Sequence, residues 1–164
     1  MAIESINPAT GKLIRSFDPL TAEATREKIA LAAEAFRDYQ RIPLDHRALC
    51  MRKLASILEN ETDDLATLIT LEMGKPLHAA RQEVLKCAAG CRYYADNAAR
   101  ILASESIPSD DHTYVRWDPL GIILAVMPWN FPFWQVIRFA APALMAGNVG
   151  LLKQIGRASG RERV

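Results

Sequence analysis

The sequence has 164 residues, half of them apolar, 24% charged and 7% aromatic, with a formal net charge of +1. That composition supplies the core of roughly one domain and excludes the polar, highly charged class that stays disordered. The balanced charge gives no electrostatic reason for a nucleic-acid or acidic-membrane partner, and no run reaches the ~18 apolar residues of a membrane span. The opening MAIESINPATG lacks the basic-then-apolar order of a secretory signal, so a cytoplasmic location is expected.

Residues 3–20 read as short extended pieces broken by turns at Asn7-Pro8 and Thr10-Gly11, with a strand over Lys12 to Phe17. Thr21 offers a helix N-cap, and Ile29, Ala32, Ala33 and Phe36 recur at the spacing of one helical face before Pro43 stops it. A second helix from about Asp45 turns Ala48, Met51, Leu54, Ala55 and Leu58 inward. A third carries Leu65, Leu68 and Ile69 and ends at Gly74, two residues before Pro76. The fourth, from about Pro76 to Leu102, has an inner face of Leu77, Ala80, Val84, Cys87, Ala88, Cys91, Tyr94 and Ala98.

Beyond the polar loop SESIPSDDH, Tyr114 to Trp117 reads as a short strand closed by a turn over Asp118 to Gly121. The run from Gly121 to Met127 is continuously apolar, as in a parallel strand buried on both faces. A helical stretch from about Pro132 to Ala146 follows, capped by Gly147-Asn148, and Val149 to Lys153 is a second apolar strand. The back half is thus one βαβ unit, and the fold class is α/β. Pro142 inside that helix costs about 3 kcal/mol against an ordinary residue, so a kink or a locally satisfied carbonyl is expected there.

The chemistry-bearing side chains are few. Cys87 and Cys91 stand four apart on one helical face, where they read as small core residues rather than a metal or redox pair. His46, His78 and His112 are scattered among polar neighbours, read as surface residues, and give no metal-binding pattern. Ligands of open α/β sheets bind at the carboxyl ends of strands. Asn130 and Lys153 each follow an apolar strand and so belong at one sheet edge, although no Gly-x-Gly-x-x-Gly fingerprint is present. Between Pro119 and Leu152 the only charged residue is Arg138, a lone guanidinium that needs an anionic partner if it is buried. It stands eight residues beyond Asn130, which in one continuous helix would be two turns along and close to the same face.

Five segments, in order, resemble the N-terminal part of the aldehyde dehydrogenase superfamily. They are Asn7-Pro8-Ala9-Thr10-Gly11, Glu72-Met73-Gly74-Lys75-Pro76, Asp118-Pro119-Leu120-Gly121, Met127-Pro128-Trp129-Asn130-Phe131-Pro132, and Ala146-Gly147-Asn148 with Leu151-Leu152-Lys153. The resemblance spans about residues 5 to 153 and, within the superfamily, is most similar to the bacterial succinate-semialdehyde dehydrogenases. It implies an incomplete fold: helices plus the first βαβ unit of a parallel, Rossmann-like sheet. Residues 1–153 would be a truncated cofactor-binding domain whose edge strands serve homo-oligomer formation in the full-length enzyme.

The resemblance also implies a reaction. A cysteine thiolate attacks an aldehyde, hydride passes to NAD or NADP, and a glutamate-activated water releases the acid. Asn130 matches the amide that donates to the oxyanion, a neutral donor needing no protonation control; capping of the following helix is the competing role for the same side chain. Met127, Pro128, Trp129 and Asn130 match the strand-end segment lining the cofactor cleft, and Lys153 matches the lysine bonding the adenosine ribose. Arg138 and Phe131 match substrate-contacting positions, Arg138 through the carboxylate of succinate semialdehyde.

The resemblance stops after Lys153. Gly156 stands where the family often has an acid, so NAD and NADP are not distinguished, and residues 154–164 read as a tail foreign to the family. The Glu-Leu-Gly-Gly and Gly-Gln-x-Cys segments do not occur, so none of Cys50, Cys87 or Cys91 inherits the nucleophile's role. The expectation is a fragment inactive alone; the alternative is a non-catalytic short protein binding a nucleotide or a full-length dehydrogenase subunit.

Overall fold

In the computed structural model, residues 3–108 and 112–154 are described. The chain starts as an antiparallel hairpin of β1 (Ile3–Ile6) and β2 (Leu13–Phe17), closed by the Asn7-to-Gly11 turn. Its apolar residues, Ile3, Leu13 and Phe17 among them, are exposed on both faces. The hairpin rests on the helical layer through Ser5, whose hydroxyl donates to Glu72 at 2.9 Å, and through Pro8. Pro8 lies where a Cβ on Gly74 would come within 2.9 Å of its ring, and Gly74 has φ +75°. Only glycine fits both constraints.

Helix α1 (Ala22–Tyr39) begins at the expected cap, with the Thr21 hydroxyl accepting from the Ala24 amide at 3.1 Å. The core is built by α2 (Leu44–Asn60), α3 (Thr62–Met73) and the 25-residue α4 (Leu77–Ile101). Met51, Ala55, Leu58, Ile69, Val84, Cys87 and Cys91 are buried between them. Ala66 and Ile69 face inward on α3, whereas Leu68, expected inside, is 45% exposed. Leu77, at the very start of α4, is exposed too. Burial pushes the thiols of Cys87 and Cys91 up to about 12 and about 11, which fits the reading of both as core residues. His46, His78 and His112 are exposed, also as read.

A short antiparallel pair, β3 (Glu105–Ser106) with β4 (Tyr114–Val115), leads to the βαβ unit of β5 (Ile122–Met127), α5 (Trp134–Met145) and β6 (Val149–Gln154). Strands β5 and β6 pair in parallel from Ile122↔Val149 to Met127↔Gln154, as the sequence implied. Asn148, buried in the turn before β6, accepts from the Gly121 amide at 3.0 Å, and the Val149 amide returns to the Gly121 carbonyl. Arg47 ties α2 to the end of α5 by donating to the Met145 carbonyl at 2.6 Å. Pro142 stays inside α5.

Two expectations of burial fail together, for one reason. Strand β5 is not enclosed on both faces: Ala125 is buried, but Leu124 and Val126 are 63% and 49% exposed. On α1, which lies over β5 and β6, Ala32 is buried while Ile29 and Ala33 are exposed. Among the described residues the parallel sheet has two strands, so the apolar residues of β5 and α1 have no further layer against them. The proposed tail lies outside the described residues from 155 onward, and Gly156 with it.

Candidate functional site

Parallel pairing brings the carboxyl ends of β5 and β6 to one edge, because both strands run the same way. Val126 is in register with Lys153, so the lysine ends its strand beside Met127 and the loop that follows. Lys153 is exposed, Met127 half-buried, Pro128 exposed, and Trp129 and Phe131 are 37% and 43% exposed. Asn130 is exposed in the turn between β5 and α5. The structure thus brings Met127, Pro128, Trp129, Asn130 and Lys153 to a common edge.

Asn130 is not the cap of the next helix. The first N–H groups of α5 go elsewhere: the Phe133 and Trp134 amides donate to Glu83 Oε1 at 3.1 and 3.0 Å. Glu83 projects from α4 and is the buried acid of the helical layer, with 1% of its side chain exposed. Its other oxygen is paired with Lys75, whose side chain is 10% exposed. The Lys75 ammonium also donates to the Asn130 carbonyl at 3.2 Å and sits 3.8 Å from the centre of the Phe131 ring. Asn130 is therefore held by its backbone, and its side-chain amide has no hydrogen-bond partner among the described residues.

Reading the sequence missed Glu83 and gave Lys75 no role. A signal was there: Glu83 occupies the inner-face spacing between Ala80 and Cys87, where an acid must find a partner. Lys75 was visible only as part of the Gly-Lys-Pro segment.

Arg138 is exposed on α5 and has no ion-pair partner among the described residues. Helix α5 starts at Trp134, so Asn130 precedes it and the two-turn spacing from Asn130 to Arg138 does not describe their geometry. An apolar groove of about 160 Å³ lies between α5 and β6, lined by Val136, Phe139, Ala143, Leu144 and Leu152. It offers no charged or hydrogen-bonding side chain. Among the described residues no three His, Cys, Asp or Glu side chains are grouped to hold a metal ion, and no helix is long and apolar enough to cross a membrane.

Comparison with known proteins supplies the context for this edge. The model of the aldehyde dehydrogenase family matches residues 1–159. A protein of Synechocystis sp. named "Probable succinate-semialdehyde dehydrogenase (NADP(+))" is 53% identical over 154 residues, 93% of this chain and 34% of its own length. "Succinate-semialdehyde dehydrogenase (NADP(+)) 1" of Mycobacterium bovis is 52% identical over 159 residues, with the same shares covered. Among solved structures, the succinic semialdehyde dehydrogenase of Streptococcus pyogenes in complex with NADP+ superposes with a TM-score of 0.87 at 32% identity, over 93% of this chain and 34% of that one. The chain spans about a third of the length of these relatives, and its fold corresponds to their N-terminal third. With the family model matching nearly its whole length, the chain belongs to the aldehyde dehydrogenase family.

Proposed function

We propose that this chain supplies one wall of the active site of an NADP-dependent oxidation of succinate semialdehyde to the carboxylate. The observation that carries the reading is the shared strand edge: the parallel register aligns Lys153 with Val126, one residue before the Met127-to-Phe131 segment. The names of relatives that are 52–53% identical support the substrate and the cofactor. Residues 1–153 act as the N-terminal part of the cofactor-binding domain.

The donor set fits a nicotinamide dinucleotide. An exposed ammonium at a strand end serves ribose hydroxyls or a 2′-phosphate, and the backbone of Met127, Pro128 and Trp129 lines the adjoining cleft. When bound, that cofactor supplies the acceptor for hydride. Asn130 donates its side-chain N–H to the oxygen of the aldehyde as negative charge develops there; with Glu83 serving as cap, the amide is not engaged in holding α5. Phe131 flanks the substrate, and Arg138 binds its distal carboxylate, which explains a guanidinium in an otherwise uncharged stretch.

On this reading the thiolate and the general base come from outside residues 1–153. Cys87 and Cys91 are buried, with thiols held far above neutrality, and neither serves as nucleophile. The exposed apolar residues of β1, β2 and β5 form the surface that the rest of the enzyme and a second subunit cover.

The test is a chimera in which residues 1–153 replace the equivalent part of the Synechocystis relative. It should form NADPH from succinate semialdehyde, whereas the 164-residue chain alone should form none above background. A folded chimera that oxidises no aldehyde, or turnover by the chain alone, would sink the reading.

A further inference from the structure

We propose that Glu83 and Lys75 are positioning residues, a buried clamp that fixes the Pro128-to-Phe133 loop and, through its backbone, aims the Asn130 amide. The catalytic consequence rests on the reading above; the clamp itself rests on hydrogen bonds alone.

Helix α5 has no side-chain cap of its own, since the residue before it is Phe133. Glu83 reaches across from α4 and satisfies two of the four N–H groups that a helix N-terminus leaves open. Its negative charge also complements the positive end of the helix dipole. Lys75 neutralises that carboxylate, and a second N–H of its ammonium goes to the Asn130 carbonyl. The lysine is held between two helix ends: Gly74 closes α3 in the left-handed region and Pro76 precedes α4. Trp134, the first residue of α5, is pinned against α4, where a Cβ on Gly90 would lie 3.2 Å from its ring.

The stability of the ion pair does not by itself account for this arrangement. A buried ion pair returns little over a neutral pair of similar volume, because both charges are taken out of water. What the pair provides is direction. Three points on the loop are fixed, the Asn130 carbonyl and the Phe131 ring to Lys75 and the Phe133–Trp134 amides to Glu83 of α4. Nothing holds the Asn130 side chain itself among the described residues, so the backbone sets where its amide points. Displacing such a donor by about 1 Å costs on the order of 100-fold in rate.

Two arms test the proposal. In the 164-residue chain, Glu83→Ala should speed hydrogen exchange at the Phe133 and Trp134 amides about tenfold or more beyond any change at the Met51 and Ile69 amides, which report global stability. Equal protection of Phe133 and Trp134 in a folded variant would overturn the clamp. Should the alanine variant fail to fold, the double variant Lys75→Met with Glu83→Gln, which removes both charges together, carries the test. In the chimera it should melt with the parent, yet lose kcat about 10- to 100-fold with KM for NADP+ within about twofold. A folded double variant with the parent's kcat would overturn the positioning role. A parent chimera without activity would instead count against the aldehyde-oxidation reading, and the exchange arm would still decide the clamp.

Discussion

The α2–α3–α4 layer and the β5–α5–β6 unit are neighbours in one chain but differ in how completely they are finished. The helical layer closes its inner face, with Ala55, Ala66, Val84 and Cys87 fully buried, while Leu49, Ile57, Leu68 and Leu71 stay exposed on its outer side. Its rim carries exposed ion pairs, Arg52–Asp96, Arg81–Asp63 and Arg92–Glu59, which add little to stability. The βαβ unit leaves Leu124, Val126 and Leu152 in the open and presents Asn130 and Lys153 at its edge. One region has a filled interior among the described residues; the other has a two-stranded sheet whose apolar side chains lack a covering layer there. Glu83 joins the two, rooted in the first and holding the second.

The comparison can be broken at several points. Ile69, 1% exposed, is scaffold, and Ile69→Ala should cost about 2–5 kcal/mol in urea unfolding. Leu124→Ala, on the open strand, should stay within about 0.5 kcal/mol. Equal losses at the two positions would erase the distinction. In the chimera, Arg138→Ala should raise KM for succinate semialdehyde about 10- to 100-fold, the value of a charge-assisted hydrogen bond, with little change for a neutral aldehyde of equal length. An unaltered preference would return Arg138 to the solvated helix face on which it is seen. Lys153→Ala should raise KM for NADP+ about fivefold, a typical hydrogen-bond contribution, and leave the melt unchanged.

The smallest effect concerns the scaffold thiols. Burial comes first among the causes that raise Cys87 and Cys91, and for Cys87 the neighbouring Glu83 carboxylate adds to it. Their folded values, about 12 and about 11, lie above the ordinary thiol value of 9.0. The stability they contribute is therefore complete below pH 9 and lost as pH rises through 11 and 12. At pH 8 an alkylating reagent should label the exposed Cys50 and spare both buried thiols while the fold holds. Labelling of all three at equal rates would show that the layer opens more readily than its packing implies.

How much of this was legible depended on where each residue finds its partners. The inner faces of α2 and α4 were readable because periodicity reports a face, and the face is filled within the chain: Ala48, Met51, Ala80 and Cys87 lie inside as their spacing implied. The same periodicity on α1, and the apolar run of β5, named faces that nothing among the described residues covers, so Ile29, Leu124 and Val126 are exposed. The strand edge was legible because an apolar run followed by Asn130 or Lys153 marks a strand end. Glu83 was not, because an acid on a long helix is ordinarily solvated, and only the α5 amides across the interface show why this one is buried.

The most direct measurement is the rate of succinate semialdehyde oxidation by the chimera carrying Asn130→Ala, compared with the parent chimera. If Asn130 is the oxyanion donor at a completed strand edge, kcat should fall about 10²- to 10³-fold while the fold and KM for NADP+ are retained. A variant that turns over at the parent's rate would contradict the account, and would leave the Met127-to-Phe131 segment as a structural turn.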